Sequence, residues 1–274
     1  MSKVHLAQSC RDITRHLELA LKHGCGLELQ AFSNPDVLNG SWRTLLDDYK
    51  ALLQDFPGSL SCHGAFFDMS SASFDPAVVA LTRERYLLNL DIAAELGASQ
   101  IVFHTNFLPM IRTEHYRTEW LKNQRTFLLE LEPEAAQRGL KVALENMWDP
   151  DPHLLRELFK DLPAPHLGVC LDVSHAYLYR FNRQQPLEAW IETLRAFIIH
   201  VHVNNTRGVI DEHLALNAPG GAINYTELLP LLATLERDPI LVIEIDDPDA
   251  AEQSLQFVQR VLGADFCHPA PAPA

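Results

Sequence analysis

The feature that most constrains the fold is a regular alternation of short apolar runs with longer amphipathic stretches. The amphipathic stretches include RDITRHLELALKHG (11–24), which ends in a glycine suited to a helix C-cap, and VVALTRERYLLNLDIAAELG (78–97). This alternation indicates a parallel α/β fold, and eight units favour a single (β/α)8 TIM barrel over a doubly wound sheet. The eight strand candidates are VHLAQS (4–9), GLELQAF (26–32), LSCHGAF (60–66), SQIVFHTNF (99–107), KVALENM (141–147), LGVCLDVSHA (167–176), FIIHVHVNN (197–205) and PILVIEID (239–246).

Ionisable residues stand near the C-terminal end of seven of these strands. In a TIM barrel these ends converge on one mouth, where active sites are built. Seven buried carboxylates and imidazoles would suffer desolvation and like-charge repulsion there unless a cation neutralised them. The pattern therefore predicts a metal site. The seven residues are Glu28, His63, His104, Glu145, Asp172, His202 and Glu244.

Four of the seven form the predicted metal quartet. Alternation along a strand places His200 and His202 on one face, and the later residue lies nearer the mouth, so His202 is the predicted ligand and His200 a packed neighbour. Glu28 is predicted to be a hydrogen-bonding barrel residue rather than a ligand. An oxygen-rich set with one imidazole suits Mn²⁺, Mg²⁺ or Co²⁺. The quartet is Glu145, Asp172, His202 and Glu244.

Five more residues at the same end offer additional ligands. They could build a second and a third metal position, and such a multinuclear site with more imidazoles suits Zn²⁺, Fe²⁺ or Mn²⁺. Alternatively, the two histidines of strands three and four bind substrate hydroxyls, and the DEH segment (211–213) braces a loop. The five residues are His63, His104, His175, Asp211 and His213.

Three residues at strand exits or in loops are candidate substrate contacts. Arg207 could meet a substrate oxygen or phosphate, and Trp148 and Phe107 could form a wall for an apolar face. No Walker loop, G-x-G-x-x-G or G-x-S-x-G motif occurs, so nucleotide binding and serine hydrolase chemistry have no motif support.

Composition narrows the class of protein further. A chain of 274 residues with 47% hydrophobic residues suits one barrel domain, predicted over residues 1–264, followed by a disordered tail over 265–274. The net charge of −14 argues against nucleic acid and anionic membranes as partners. Five scattered cysteines without a C-x-x-C pair, and no signal-peptide core or membrane span, predict a cytoplasmic protein. A homo-oligomer is compatible with the fold.

Several segments in this order together resemble the xylose-isomerase-like TIM barrel superfamily, in particular its sugar phosphate isomerase/epimerase branch. The likeness covers nearly the whole chain, and the segments lie at the strand ends. They are GLELQAF, SCHGAFFD, IVFHTNF, VALENM, LGVCLDVSHAY, HVHVNN followed by DEHLAL, and VIEID.

The resemblance implies a divalent-metal-dependent isomerase or epimerase of a sugar, sugar phosphate or related polyol. It implies that Glu145 and Glu244 both bind the metal and flank the substrate carbon as an acid/base pair. One carboxylate removes the proton next to the carbonyl, and the other returns it on the opposite face of an enediolate whose oxygens the metal stabilises.

The same superfamily contains the apurinic-site endonucleases of family 2, which imply an alternative function. Their three-zinc ligand pattern matches all nine candidate ligands here, so a multinuclear phosphodiester hydrolase stays open. A non-catalytic ligand-binding barrel is the second alternative. After DEHLAL the sugar branch usually shows a Gly-acid-Gly turn, whereas this chain reads NAPGGAINY (217–225), which leaves the substrate open.

Overall fold

The computed structural model describes residues 3–267 and shows a closed barrel of eight parallel strands. Each strand pairs with the next along the chain, and β8 pairs with β1 to close the barrel. The predicted (β/α)8 fold is therefore confirmed. The strands are β1 (Val4–Gln8), β2 (Gly26–Leu29), β3 (Leu60–His63), β4 (Gln100–His104), β5 (Lys141–Glu145), β6 (Leu167–Asp172), β7 (Ile198–Val203) and β8 (Ile240–Glu244).

Helices follow the strands and cover the outside of the barrel. Short 3-10 turns lie at Ala31–Ser33 and Ala264–Cys267, and a π-helical turn lies at Val37–Ser41. The α-helices are α1 (Thr14–His23), α2 (Trp42–Leu52), α3 (Pro76–Glu95), α4 (Glu114–Gln137), α5 (His153–Phe159), α6 (Val173–Tyr179), α7 (Leu187–Leu194), α8 (Tyr225–Leu232) and α9 (Pro248–Leu262).

All eight predicted strands extend past the C-terminal ends of the observed strands, by one to four residues. The strand predicted over 167–176 stops at Asp172, because the Asp172 carboxylate accepts a hydrogen bond from the backbone N–H of His175 and caps α6. The strand predicted over 26–32 stops at Leu29, and a 3-10 turn follows it. The turn into α6 places His175 beside the predicted ligands.

The apolar core consists of one large cluster and two small ones. The large cluster fills the space between strands and helices, and it includes the fully buried Trp190 and Leu255. One small cluster contains Val102, Ala143 and Cys170, which lie two residues before His104, Glu145 and Asp172 on the same strand faces. These small side chains fill the interior beneath the polar residues, so the mouth has a packed floor.

Two expectations concern the ends of the chain and membranes. Most of the tail predicted over 265–274 lies outside the described residues, so it stays a prediction. Within residues 3–267, no helix is both long enough and apolar enough to cross a membrane.

Candidate metal centre

A cavity of about 380 Å³ opens at the C-terminal ends of the strands. The ionisable residues predicted from strand ends are brought together in or directly beneath it. No lysine or arginine lines it among the residues that the structure describes. Its lining consists of Ser9, Gln30, Ser33, Asn34, His63, Phe66, Phe67, His104, Glu145, Met147, His175, Asp211, His213 and Glu244.

The predicted quartet meets on the floor of this cavity. Ligand atoms of Asp172, His202 and Glu244 lie within 4.8 Å of one another. Nδ1 of His202 lies 3.4 Å from Oε2 of Glu145 and 3.4 Å from Oε2 of Glu244. Three of these atoms, Oδ2 of Asp172, Oε2 of Glu244 and Nδ1 of His202, are buried without a hydrogen-bond partner. Because unpartnered buried oxygens and nitrogens are costly, their convergence fits a divalent cation.

A second group shares one oxygen with the quartet. Oε2 of Glu145 lies 3.3 Å from Nε2 of His63 and 3.2 Å from Nε2 of His104. The two Nε2 atoms are 3.1 Å apart, so their lone pairs repel unless a proton or a cation lies between them. Two imidazoles with one carboxylate form a donor set that suits Zn²⁺ or Fe²⁺.

A third group stands beside the quartet, on α6 and in the loop after β7. Oδ2 of Asp211 lies 3.1 Å from Nε2 of His175 and 3.1 Å from Nε2 of His213. Nδ1 of His175 is 3.2 Å from Oε1 of Glu145, so Glu145 contacts all three groups. The five additional candidates thus flank the quartet on two sides.

The electrostatics of the groups show how the buried charges are balanced by protons. Burial raises the pKa of Asp172 to about 7 despite the neighbouring His175. Burial also opposes ionisation of Glu145, but the imidazoles of His104 and His202 outweigh it and hold the pKa of Glu145 well below its usual range. At His213 the carboxylates of Glu244 and Asp211 overcome burial and raise the pKa to about 10. A cation that bound here would displace protons from these histidines.

The three predicted substrate contacts lie outside the lining of this cavity. Arg207 is exposed and pairs with Glu212. Phe107 is buried against Trp120, with ring centroids 5.2 Å apart. Trp148 is half-buried in the loop after β5. Their roles in substrate binding stay predictions.

Several lining residues were missed by reasoning from the sequence. Gln30 follows Glu28 by two positions and projects towards the same side, which alternation along β2 could have indicated. Phe66 and Phe67 follow His63 in SCHGAFFD, and the Phe66 ring stacks on His104 at 4.6 Å. Ser9, Asn34 and Met147 stand in loops and Ser33 ends a 3-10 turn, and in such segments sequence periodicity carries no signal.

Comparisons with known proteins agree with this architecture. The family model described as a xylose isomerase-like TIM barrel matches residues 17–261. The protein MJ1311 of Methanocaldococcus jannaschii is 31% identical over 211 residues, which cover 73% of this chain and 69% of that protein.

Two solved structures share the whole barrel. The TTHB071 protein from Thermus thermophilus, soaked with ZnCl2, superposes with a TM-score of 0.78 at 30% identity, covering 95% of this chain and 98% of that one. A D-tagatose 3-epimerase-like protein superposes with a TM-score of 0.79 at 26% identity, covering 95% of this chain and 97% of that one.

Proposed function

Because the chain belongs to the xylose isomerase-like TIM barrel family, we propose that it is a divalent-metal-dependent sugar isomerase or epimerase. One observation carries the proposal: Glu145 and Glu244 both lie 3.4 Å from a single imidazole nitrogen of His202. Two carboxylates thus meet at one point of a cavity large enough for a small ligand, with Asp172 beside them. Glu145, Asp172, His202 and Glu244 would hold the cation.

The two glutamates suit transfer of a proton to and from carbon. A bound cation supplies electrostatic stabilisation of the negative charge that develops on substrate oxygens. One carboxylate takes the proton from the carbon beside the carbonyl, and the released electron pair delocalises onto the carbonyl oxygen. The other carboxyl group, which would carry a proton taken from solvent, returns that proton to carbon from the opposite side. Glu145 is ionised, which fits the role of the base that acts first.

The lining of the cavity favours an uncharged sugar over a sugar phosphate. A phosphate group is ordinarily met by Arg, Lys or a helix N-terminus, and the described lining contains neither arginine nor lysine. Gln30, Ser33 and Asn34 offer hydrogen bonds to hydroxyl groups, and Phe66 offers an apolar face. Similarity to a D-tagatose 3-epimerase-like protein supports the same class of substrate.

Solvent-exchange kinetics test the proposed chemistry. Metal-loaded protein is incubated in D2O with a panel of free keto sugars, and deuterium at the carbon beside the carbonyl is measured by NMR. We expect exchange and isomerisation in the parent protein, and loss of both in Glu145→Gln and Glu244→Gln. Glu95→Gln is the matched control, because Glu95 pairs with Arg43 and Lys50 on the outer helices, outside the cavity lining. Turnover of a sugar without exchange would overturn the mechanism, and binding without turnover would leave a non-catalytic ligand-binding barrel.

A second function, hydrolysis of a phosphodiester at a multinuclear centre, is favoured by the two flanking groups. His63 and His104 meet Glu145 on one side, and His175 and His213 meet Asp211 on the other. Three divalent cations would bring six positive charges into the acidic cavity. They would therefore cancel the repulsion between its carboxylates and an anionic substrate.

Metal stoichiometry separates the two functions. One manganese, magnesium or cobalt ion per chain supports the isomerase, whereas two or three zinc, iron or manganese ions support the hydrolase. In the multinuclear case His63→Ala and His213→Ala each lower the number of bound ions. A stoichiometry of one that neither substitution changes would remove the hydrolase.

A further inference from the structure

Glu28 lies beneath the proposed metal position and is fully enclosed by the barrel. Its Oε2 accepts a hydrogen bond from Ser61 at 3.1 Å and lies 2.8 Å from Nε2 of His200. Its Oε1 lies 3.0 Å from Nε2 of His202. The side chains of Glu28, His200 and His202 are 0% exposed, so bulk solvent does not reach this arrangement.

Gln30 extends this network to a second ligand. Its side-chain amide donates to Oε1 of Glu28 at 3.2 Å and to Oε1 of Glu244 at 2.7 Å. The second oxygen of Glu244, Oε2, is left without a partner and lies on the side of His202. Strand β2 and the residue after it therefore contact two members of the quartet that stand on β7 and β8.

We infer that Glu28 is a positioning residue that fixes the tautomer of His202 and, through Gln30, the orientation of Glu244. The inference rests on the proposed metal site. The anionic oxygen 3.0 Å from Nε2 stabilises a proton on that nitrogen by charge attraction, although the contact lacks hydrogen-bond geometry, and so leaves the lone pair of Nδ1 free. Nδ1 is the atom that faces Oε2 of both Glu145 and Glu244, so it is the atom that binds the cation.

The contacts of Glu28 go beyond the hydrogen bonds that any buried carboxylate needs. Ser61 and His200 already supply two donors to Oε2 of Glu28, so a purely structural carboxylate has no need of contact with the site. Instead, its other oxygen is directed at His202 and at the amide that holds Glu244. Carboxylates behind metal-binding histidines usually strengthen metal binding by orienting the ring and raising the basicity of the ligand.

The substitution Glu28→Gln tests the inference, with Mn²⁺ affinity measured by isothermal titration calorimetry. The amide is uncharged, so His202 loses the anionic partner of its Nε2. We expect Mn²⁺ affinity to fall about 10–100-fold. Ser61→Ala is the matched control, because it removes a donor to the same carboxylate on the side away from His202, and we expect a less than threefold change. Equal affinities in parent and Glu28→Gln would overturn the inference, as would an equal loss in Ser61→Ala.

A second measurement needs no substitution, so it holds even if Glu28→Gln fails to fold. Long-range ¹H–¹⁵N correlation NMR of the parent protein with Zn²⁺ reports which nitrogen of His202 is protonated. We expect a proton on Nε2 and the metal on Nδ1, and the reverse pattern would overturn the inference. If the parent protein binds no divalent cation at all, the proposed function fails instead, so the two failures are distinguishable.

Discussion

At the scale of single residues, Asn146 connects two strands that carry ligands. Its side-chain oxygen accepts from the backbone N–H of Asp172 at 2.9 Å, and its side-chain nitrogen donates to the backbone carbonyl of Asp172 at 2.9 Å. The backbone carbonyl of Asn146 also lies 3.0 Å from Nδ1 of His175. Asn146 is fully buried, so it holds the end of β6 in register with the end of β5 where both contribute to the site.

We predict that Asn146→Ala lowers the free energy of unfolding by about 2–4 kcal/mol, because it leaves two buried backbone groups of Asp172 without partners. Urea denaturation of the metal-free protein measures the effect. Asn123→Ala is the control, since Asn123 makes a single long hydrogen bond of 3.5 Å near the surface, and its loss should be below about 0.5 kcal/mol. Similar losses in the two variants would contradict the prediction.

The residues of the site differ in how far a sequence can predict them. Glu145, Asp172 and Glu244 end parallel strands, so their convergence follows from the architecture once the eight repeats are recognised. The contact of Glu28 with His202 could not be predicted, because it crosses the barrel interior between β2 and β7. Such a pairing depends on strand tilt and side-chain rotamer, and neither leaves a periodic signal in the sequence.

At the scale of elements, Asp149 fastens the loop after β5 to the loop after β4. Its Oδ2 accepts hydrogen bonds from the Thr105 hydroxyl at 2.6 Å and from the Met147 backbone N–H at 3.0 Å. Burial raises the pKa of Asp149 to about 7, despite these two hydrogen bonds, which favour the ionised form. The carboxyl group is therefore largely protonated at acidic pH in the folded protein.

This pKa determines the sign of a pH effect on stability. The folded protein holds the proton up to about pH 7, whereas the unfolded chain releases it near pH 4, so the contribution of Asp149 is full below pH 4 and declines as pH rises through 7. We predict that the parent protein loses about 2–3 kcal/mol between pH 5 and pH 8 relative to Asp149→Asn, whose amide does not titrate. Urea denaturation across this range measures the difference. Parallel stability curves for the two proteins would refute the prediction.

The elements themselves were predictable to different degrees. All eight strands were located, because buried parallel strands form short apolar runs bounded by polar loops. The start of α6 was missed, because Asp172 is both the last residue of β6 and the N-cap of the helix. Because apolar residues flank Asp172 on both sides, the sequence pattern of this segment is that of one continuous strand.

At the scale of the whole molecule, the candidate centre joins strands that are far apart in the chain. The quartet draws one ligand each from β5, β6, β7 and β8, and β8 pairs with β1 to close the barrel. The metal-free protein must hold buried carboxylates of this quartet together, balanced by protonated histidines such as His202. A cation bound to this quartet stabilises the native state because the unfolded chain does not present the four ligands together.

We therefore predict a large metal-dependent rise in the unfolding temperature. At a free Mn²⁺ or Zn²⁺ concentration of about 1,000 times the Kd, native-state binding stabilises the fold by about 4 kcal/mol, which corresponds to a rise of roughly 10 °C for a domain of this size. Differential scanning calorimetry with and without a chelator measures the rise. Asp172→Asn is the control, because it keeps the N-cap oxygen of α6 while removing a charged ligand, and its rise should be much smaller. An equal rise in parent and variant would place the cation elsewhere on the molecule, and none in the parent would exclude a stabilising metal at this quartet.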